Sequence, residues 1–288
     1  MANKLFEKGR EGFLDGTLDW DTNTFKAALL DFGTADTGIK AVTGATNATP
    51  IVITATSHGF SNGDIVLIGS VGGNLAANGV WAISGVATNT FNLTDPITGS
   101  NVVGSGAYTS GGYAVCLGPS ASGDNWDDFD GALVGAAVTL TSPTVTAGVA
   151  DAADATFTAV TGNSAEAVGI YKDTGTASTS RMVAIIDGRH IVTCAATAAS
   201  SATSIAVERL VAGIPNGTVL AFSNGQTATL TALASAGDRT LTVSALGGSV
   251  TAGSRADAPA TGAGLPVTPN GGDITVAFDN GANKIFKL

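Results

Sequence analysis

The side chains able to do chemistry are few and scattered. Histidine occurs twice, at His58 and His190, in stretches of different composition. A metal site or a histidine general base built from the two needs long-range convergence, so a capping or turn role is the expectation. Cys116 and Cys194 lie far apart without CxxC spacing. Buried free thiols are expected, with a disulfide as the alternative. The densest acidic cluster is Asp124, Asp127, Asp128 and Asp130 in "GDNWDDFDG". It has some of the spacing of a calcium loop, yet Trp126 stands where an earlier ligand is wanted and no Glu closes the loop. A solvated acidic turn is expected there, with calcium as the alternative. Serines are plentiful, but GxSxG is absent. Carboxylate pairs for glycoside hydrolysis require separations in space that a sequence does not reveal.

The glycine-studded run "HGFSNGDIVLIGSVGGNLAANGVW" (58–81) invites a phosphate-cradling reading. A P-loop needs Lys after its last glycine, and Lys and Arg are both missing between positions 41 and 115. A dinucleotide loop must open a helix, whereas "GVWAIS" reads as a strand. Glycines that take positive φ at tight turns account for the run.

The bulk properties agree with a turn-rich chain. Of 288 residues, 44% are apolar and 39 are glycine, while only 12% are charged, about half the usual share. Among 23 acidic residues the only glutamates are Glu7, Glu11, Glu166 and Glu208, a bias toward turns over helix interiors. Net charge is −10. Without a basic stripe, an acidic chain is repelled by nucleic acid. No apolar run approaches membrane-spanning length and no signal-type h-region begins the sequence, so neither a membrane nor standard export is expected. Trp20, Trp81 and Trp126 sit in strand-like or turn contexts that core packing explains, and the sequons at Asn47, Asn92 and Asn216 imply nothing by themselves.

The elements divide the chain into a base and two inserts. Residues 3–14, "NKLFEKGREGFL", read as one short amphipathic helix with Leu5, Phe6, Phe13 and Leu14 as its apolar positions, weakened by Gly9 and Gly12. "TFKAALLDF" leans to strand. Residues 41–115 change composition sharply, Asp64 and Asp95 being the only charges. Strands are expected at "PIVITAT", "DIVLIGSV", "GVWAISGV", "TFNLTD" and "GGYAVCL", spaced as in a small barrel or sandwich. In 116–190, "AVGIYK" and "MVAIID" read as strands, the second fully buried. In 191–259, "ATSIAVERLVAGIPNGT" (202–218) aligns with "DRTLTVSALGGSVTAGS" (238–254) at an offset of 36 residues, implying a duplicated β-unit around a pseudo-twofold axis. The tail 260–288 adds the turn "PNGGD", the strand "ITVAF" and a hairpin turn into a last strand, "DNGANKIFKL". The expected fold is all-β: a discontinuous β-sandwich base (1–40, 116–190, 260–288) carrying two inserted, barrel-like β modules (41–115 and 191–259), with a short N-terminal helix.

Resemblance adds to these readings. "TPIVITATSHGFSNGDIVLIGSVGGNLAANGVWAISGVATNTFNLTD" resembles the first-catalytic-cysteine-half (FCCH) β-barrel domain, a module that recurs in tailed-phage structural proteins. The base, with "ALVGAAVTLTSPTVTAGVADAADATFTAVTG", "AVGIYKDTGT" and "GLPVTPNGGDITVAFDNGANKIFKL", looks like a family of phage virion structural proteins. "ATSIAVERLVAGIPNGTVL" is similar to repeats in phage head-decoration and tail proteins. Ubiquitin activation is not implied, because no adenylation motif or catalytic-cysteine context accompanies the module.

The resemblance implies a capsid decoration or cement protein on the outer surface of a phage head, made in the host cytoplasm. Its implied partners are the major capsid protein and further copies of itself, taken as a trimer, with contacts at the N-terminal segment and the C-terminal strand. The chain is expected not to be an enzyme, and no catalytic, cofactor-binding or metal residue is assigned. The alternatives are a tail component (fibre, baseplate or adaptor subunit), a receptor- or glycan-binding virion protein and, least favoured, a polysaccharide-degrading enzyme.

Overall fold

The computed structural model describes residues 3–34, 36, 38–118, 124–210, 212–259, 264–278 and 284–288. The chain begins with β1 (Asn3–Leu5), helix α1 (Glu7–Leu14) and β2 (Phe25–Leu30). Seven strands follow: β3 (Ile39–Ala41), β4 (Gly44–Ala45), β5 (Val52–Thr54), β6 (Ile65–Gly69), β7 (Gly79–Ser84), β8 (Thr90–Thr94) and β9 (Tyr113–Gly118). Next come β10 (Leu133–Thr139), β11 (Thr144–Thr146), β12 (Val149–Asp151), β13 (Ala155–Phe157), β14 (Ala167–Lys172) and β15 (Met182–Ile186). Then β16 (Arg189–Thr193), β17 (Ser204–Ala206), β18 (Val219–Ala221), β19 (Thr227–Thr229), β20 (Thr240–Thr242) and β21 (Arg255–Pro259) precede β22 (Ile274–Val276) and β23 (Phe286–Lys287). The fold is all-β apart from α1 and short 3-10 turns. The turn expected within 279–283 lies outside the described residues.

Two compact units emerge. The base unit comprises Asn3–Ile39, Leu117–Asp187 and Gly264–Leu288; the insert unit contains Lys40–Cys116 and Gly188–Ala263.

The base unit is built on an antiparallel sheet of order β1-β15-β14-β2-β10. Every residue of β15 is buried, and so are all of β14 but Lys172 and all of β2 but Lys26. Strands covered on both faces read as continuous apolar runs, which is why "MVAIID" was legible. Residues 3–14 are not one helix: Asn3–Leu5 pair with β15, and α1 starts only at Glu7. Gly9 lets α1 lie flush on that strand, and Gly12 leaves room for the Leu18 side chain. A Cβ on Gly9 would come within 2.9 Å of Val183 Cα, and one on Gly12 within 2.7 Å of the Leu18 side chain. Leu14, expected on the apolar face, is 89% exposed. Two smaller sheets, β11-β12-β23 and β13-β22, complete the unit. An aromatic cluster ties the first of these to the main sheet. Trp20 meets Phe25 of β2 at 4.6 Å and Phe286 of β23 at 5.0 Å, and its indole N–H donates to the Asp151 carbonyl at 2.8 Å.

The first insert, with the residues that flank it, forms one sheet across 39–118 of order β3-β9-β6-β7-β8-β5-β4. All five expected strands are present. The sheet is not a closed barrel: its ends, β3 and β4, follow each other in sequence but do not pair with each other. Local periodicity reports strands and not closure, which depends on pairing between the ends. The glycine run makes turns, with Gly63 and Gly73 at φ of 92° and 78° flanking β6. Phe91, Leu93, Ile53, Val66 and Ile68 fill the core with Trp81, whose indole N–H donates to the Ala77 carbonyl at 2.9 Å.

Residues 189–259 are a pseudo-twofold duplication with a period of 36 residues. Ile205 and Leu241, equivalent under that shift, are direct cross-strand partners in the β17–β20 pair. The bridges Ala198↔Val250 and Ile214↔Ala234 interchange when the shift is applied, as do Cys194↔Val207 and Leu230↔Val243. The same operation carries β18–β19 onto β21–β16: Leu220↔Ala228 becomes Ala256↔Val192. The turn glycines Gly217 and Gly253 share φ of +81°. The duplication thus extends well beyond 202–218 and 238–254, into strands whose side chains have diverged.

Candidate interaction surfaces

The residues singled out by chemistry are mostly absorbed by the structure. His58 is 1% exposed; its Nδ1 accepts from the Phe60 N–H at 3.0 Å, its Nε2 lies 2.9 Å from the Ala87 carbonyl, and its ring meets Phe91 edge-on. Of the capping or turn role expected of it, His58 fills the turn role. His190 is fully buried in β16. Cys116 and Cys194 are both buried and are not joined in a disulfide. Burial pushes the Cys194 thiol up, and its S–H donates to the Ala196 carbonyl, so it is a poorly reactive thiol.

The Asp124–Asp130 segment is organised by its aromatics. Trp126 stacks on Tyr171 of β14, ring centroids 4.3 Å apart and planes 8° from parallel, which anchors the 3-10 turn Trp126–Asp128. Asp128 and Asn125 form a capping box on that turn, while Asp127 and Asp130 are exposed. Burial pushes the Asp124 carboxyl up, opposed by Lys8 and reinforced by Asp128. No group of three or more metal-ligating side chains occurs among the described residues.

A second carboxylate pair had no sequence signal. Asp31 follows β2 and Glu166 precedes β14, and the Ala167↔Leu30 pairing brings them together. Burial pushes Glu166 up, opposed by the Phe32 N–H it accepts at 2.9 Å and reinforced by the charge of Asp31. Burial also pushes Asp31 up, but the Thr34 hydroxyl, the Asn163 amide and the N–H groups of Gly33 and Thr34 outweigh it and hold Asp31 low. These bonds tie loops to the sheet, which is a structural use of both acids.

Two concave surfaces stand out among the described residues. In the insert unit, a polar groove of about 310 Å³ lies between the two inserts, lined by Asp95, Thr98, Asn101, Ser223, Asn224 and Thr251 among others. Asp95 is built into it: Oδ1 accepts from the N–H groups of Ile97 and Thr98 at 2.8 and 3.0 Å, and Oδ2 faces Arg255 Nη1 at 3.8 Å. Backbone bonds close the back of the groove, where the Val103 N–H donates to Ser223 and the Ser223 N–H to Arg255. In the base unit, an apolar recess of about 280 Å³ is lined by Phe13, Leu18, Trp20, Val145, Phe286 and Leu288. Its rim residues Val145 and Leu288 are 51% and 55% exposed.

No family model matches the chain, and no curated protein matches it.

Proposed function

We propose that the chain is a structural protein of a tailed-phage particle, most specifically a decoration or cement protein bound to the head shell. The observation that carries this reading is the architecture. A base assembled from three chain segments bears inserts in its loops, and among the described residues nearly all regular secondary structure is short antiparallel strand. Such a scaffold suits a component that covers surface and multiplies weak contacts through symmetry. The resemblance of residues 49–95 and of the base to virion proteins points the same way. The apolar recess supplies a contact face for the shell or for further copies of the chain, and it includes the C-terminal strand, where such contacts are expected.

The polar groove favours a second reading, a glycan-binding virion protein. Its volume and its hydroxyl and amide groups suit a sugar. It presents no aromatic face for a sugar ring to stack on, so decoration stands first. The test is the copy number of the protein in purified virions of the phage that encodes it, relative to the major capsid protein, by quantitative mass spectrometry. A ratio near one, or a simple lattice fraction of it, is the expected result. A handful of copies moves the protein to the tail, and absence from virions overturns the structural reading.

A further inference from the structure

Lys4 and Asp187 form a buried pair in the base unit, side chains 6% and 1% exposed, with Nζ 2.5 Å from Oδ1. Lys4 lies in β1, the three-residue edge strand, opposite Ile185; Asp187 directly follows β15, the strand on which β1 pairs. The surrounding strand is apolar and closed to solvent, Val183, Ile185 and Ile186 being at most 1% exposed. Desolvating an ammonium and a carboxylate costs several kcal/mol per ion even after relaxation, and their attraction repays this only in part. An amide between the same two side chains carries no charge and removes most of that cost.

We propose that Lys4 and Asp187 are joined by an intramolecular isopeptide bond formed after folding. The pair supplies the proximity that condensation needs: amine and carboxyl are in contact, held by two paired strands, and shielded from water. Holding reactants this way is equivalent to a very high effective concentration, about 10⁵–10⁸ M in well-oriented cases. The step balances within the pair. A proton passes from Nζ to the carboxylate, the neutral amine attacks Cγ, the new Nζ–Cγ bond forms, and the Cγ–Oδ bond breaks. The oxygen leaves as water with the protons released by the nitrogen. No oxidant, reductant or cofactor is consumed. The product covalently staples the N-terminal edge strand to the end of the strand beside it.

The deciding experiment is the mass of the purified full-length protein under denaturing conditions, followed by a tryptic map. The expected result is a chain lighter than its sequence mass by one water, with the peptide holding Lys4 joined to the one holding Asp187. Lys4→Arg, which keeps the positive charge, should restore the full mass and separate the peptides. Asp187→Asn should still cross-link, now with loss of ammonia instead of water. A wild-type chain at its full sequence mass, with the two peptides separate, overturns the proposal and leaves an ordinary buried ion pair. Loss of one water that persists in Lys4→Arg overturns it as well.

Discussion

Replacing Gly9 by alanine sets two opposed effects against each other at one site. In an exposed helix interior the change stabilises by about 0.8–1.0 kcal/mol. At Gly9 the added Cβ would lie 2.9 Å from Val183 Cα, 3.0 Å from the Val183 carbonyl oxygen and 3.1 Å from that of Met182. All three are backbone atoms of β15, which is bonded to β1 on one side and β14 on the other. They cannot retreat without stretching two ladders. Overpacking of this kind costs roughly 1–3 kcal/mol. The clash therefore wins, and Gly9→Ala should destabilise the base unit by about 1–2 kcal/mol. Gly12→Ala is the internal comparison. Its Cβ meets Leu18 Cγ at 2.7 Å and the Arg181 guanidinium at 3.0 Å, side-chain atoms that can shift, so its cost should be smaller. Urea unfolding followed by tryptophan fluorescence measures both, Trp20 and Trp126 lying in the base unit. A lowered midpoint with unchanged slope is expected for Gly9→Ala. A variant as stable as the wild type, or a Gly12→Ala that costs more, would refute the flush packing of α1.

Further outcomes follow from other sites. Ile205→Ala and Leu241→Ala, related by the pseudo-twofold, should cost similar amounts, about 2–5 kcal/mol each; because the two residues face each other, the double variant should lose less than the sum when unfolding is followed by circular dichroism. Burial pushes the Tyr171 phenol up to about 12. Its contribution to stability is therefore complete below the ordinary phenol range near pH 10 and is lost as pH rises toward 12. Phenolate absorbance should show that late step, and Tyr171→Phe should remove it. Asp95→Asn keeps an oxygen able to accept the Ile97 and Thr98 N–H groups, whereas Asp95→Ala orphans both. In thermal unfolding the alanine variant should be the less stable by about 1–3 kcal/mol; equal melting temperatures would deny the carboxylate its role in the groove.

What the sequence made legible was local. "MVAIID" and the five strands of the first insert could be read because β-branched and apolar residues alternate or cluster between turn formers. Pairing order could not, since no periodicity in "GIKAVTGAT" says that β3 and β4 end one sheet without closing it. Helix α1 was misjudged at its start because Lys4 and Leu5 fit a helical pattern as well as they fit an edge strand. The repeat was visible only where side chains stayed alike. Arg255 and Val219 occupy equivalent positions with unrelated chemistry, so β21 and β18 revealed their kinship through register alone. The groove around Asp95 and Arg255 had no local signal, its walls coming from two separate inserts.

The paired strands at the base of the second insert have a consequence for how such a chain can change. Arg189 and Pro259, its first and last strand residues, are cross-strand partners, so their backbones lie roughly 5 Å apart. The first insert has the same property, since β3 and β9 are neighbours in one sheet. Each insert therefore leaves its host at nearly the point where it returns, and a tight turn could bridge the gap it would leave. Both are in that sense cassettes: recombination can exchange, delete or double them at the cost of one short loop and of the contacts that Asp95 and Val103 make with Arg255 and Ser223, while the sheet that carries them keeps its register.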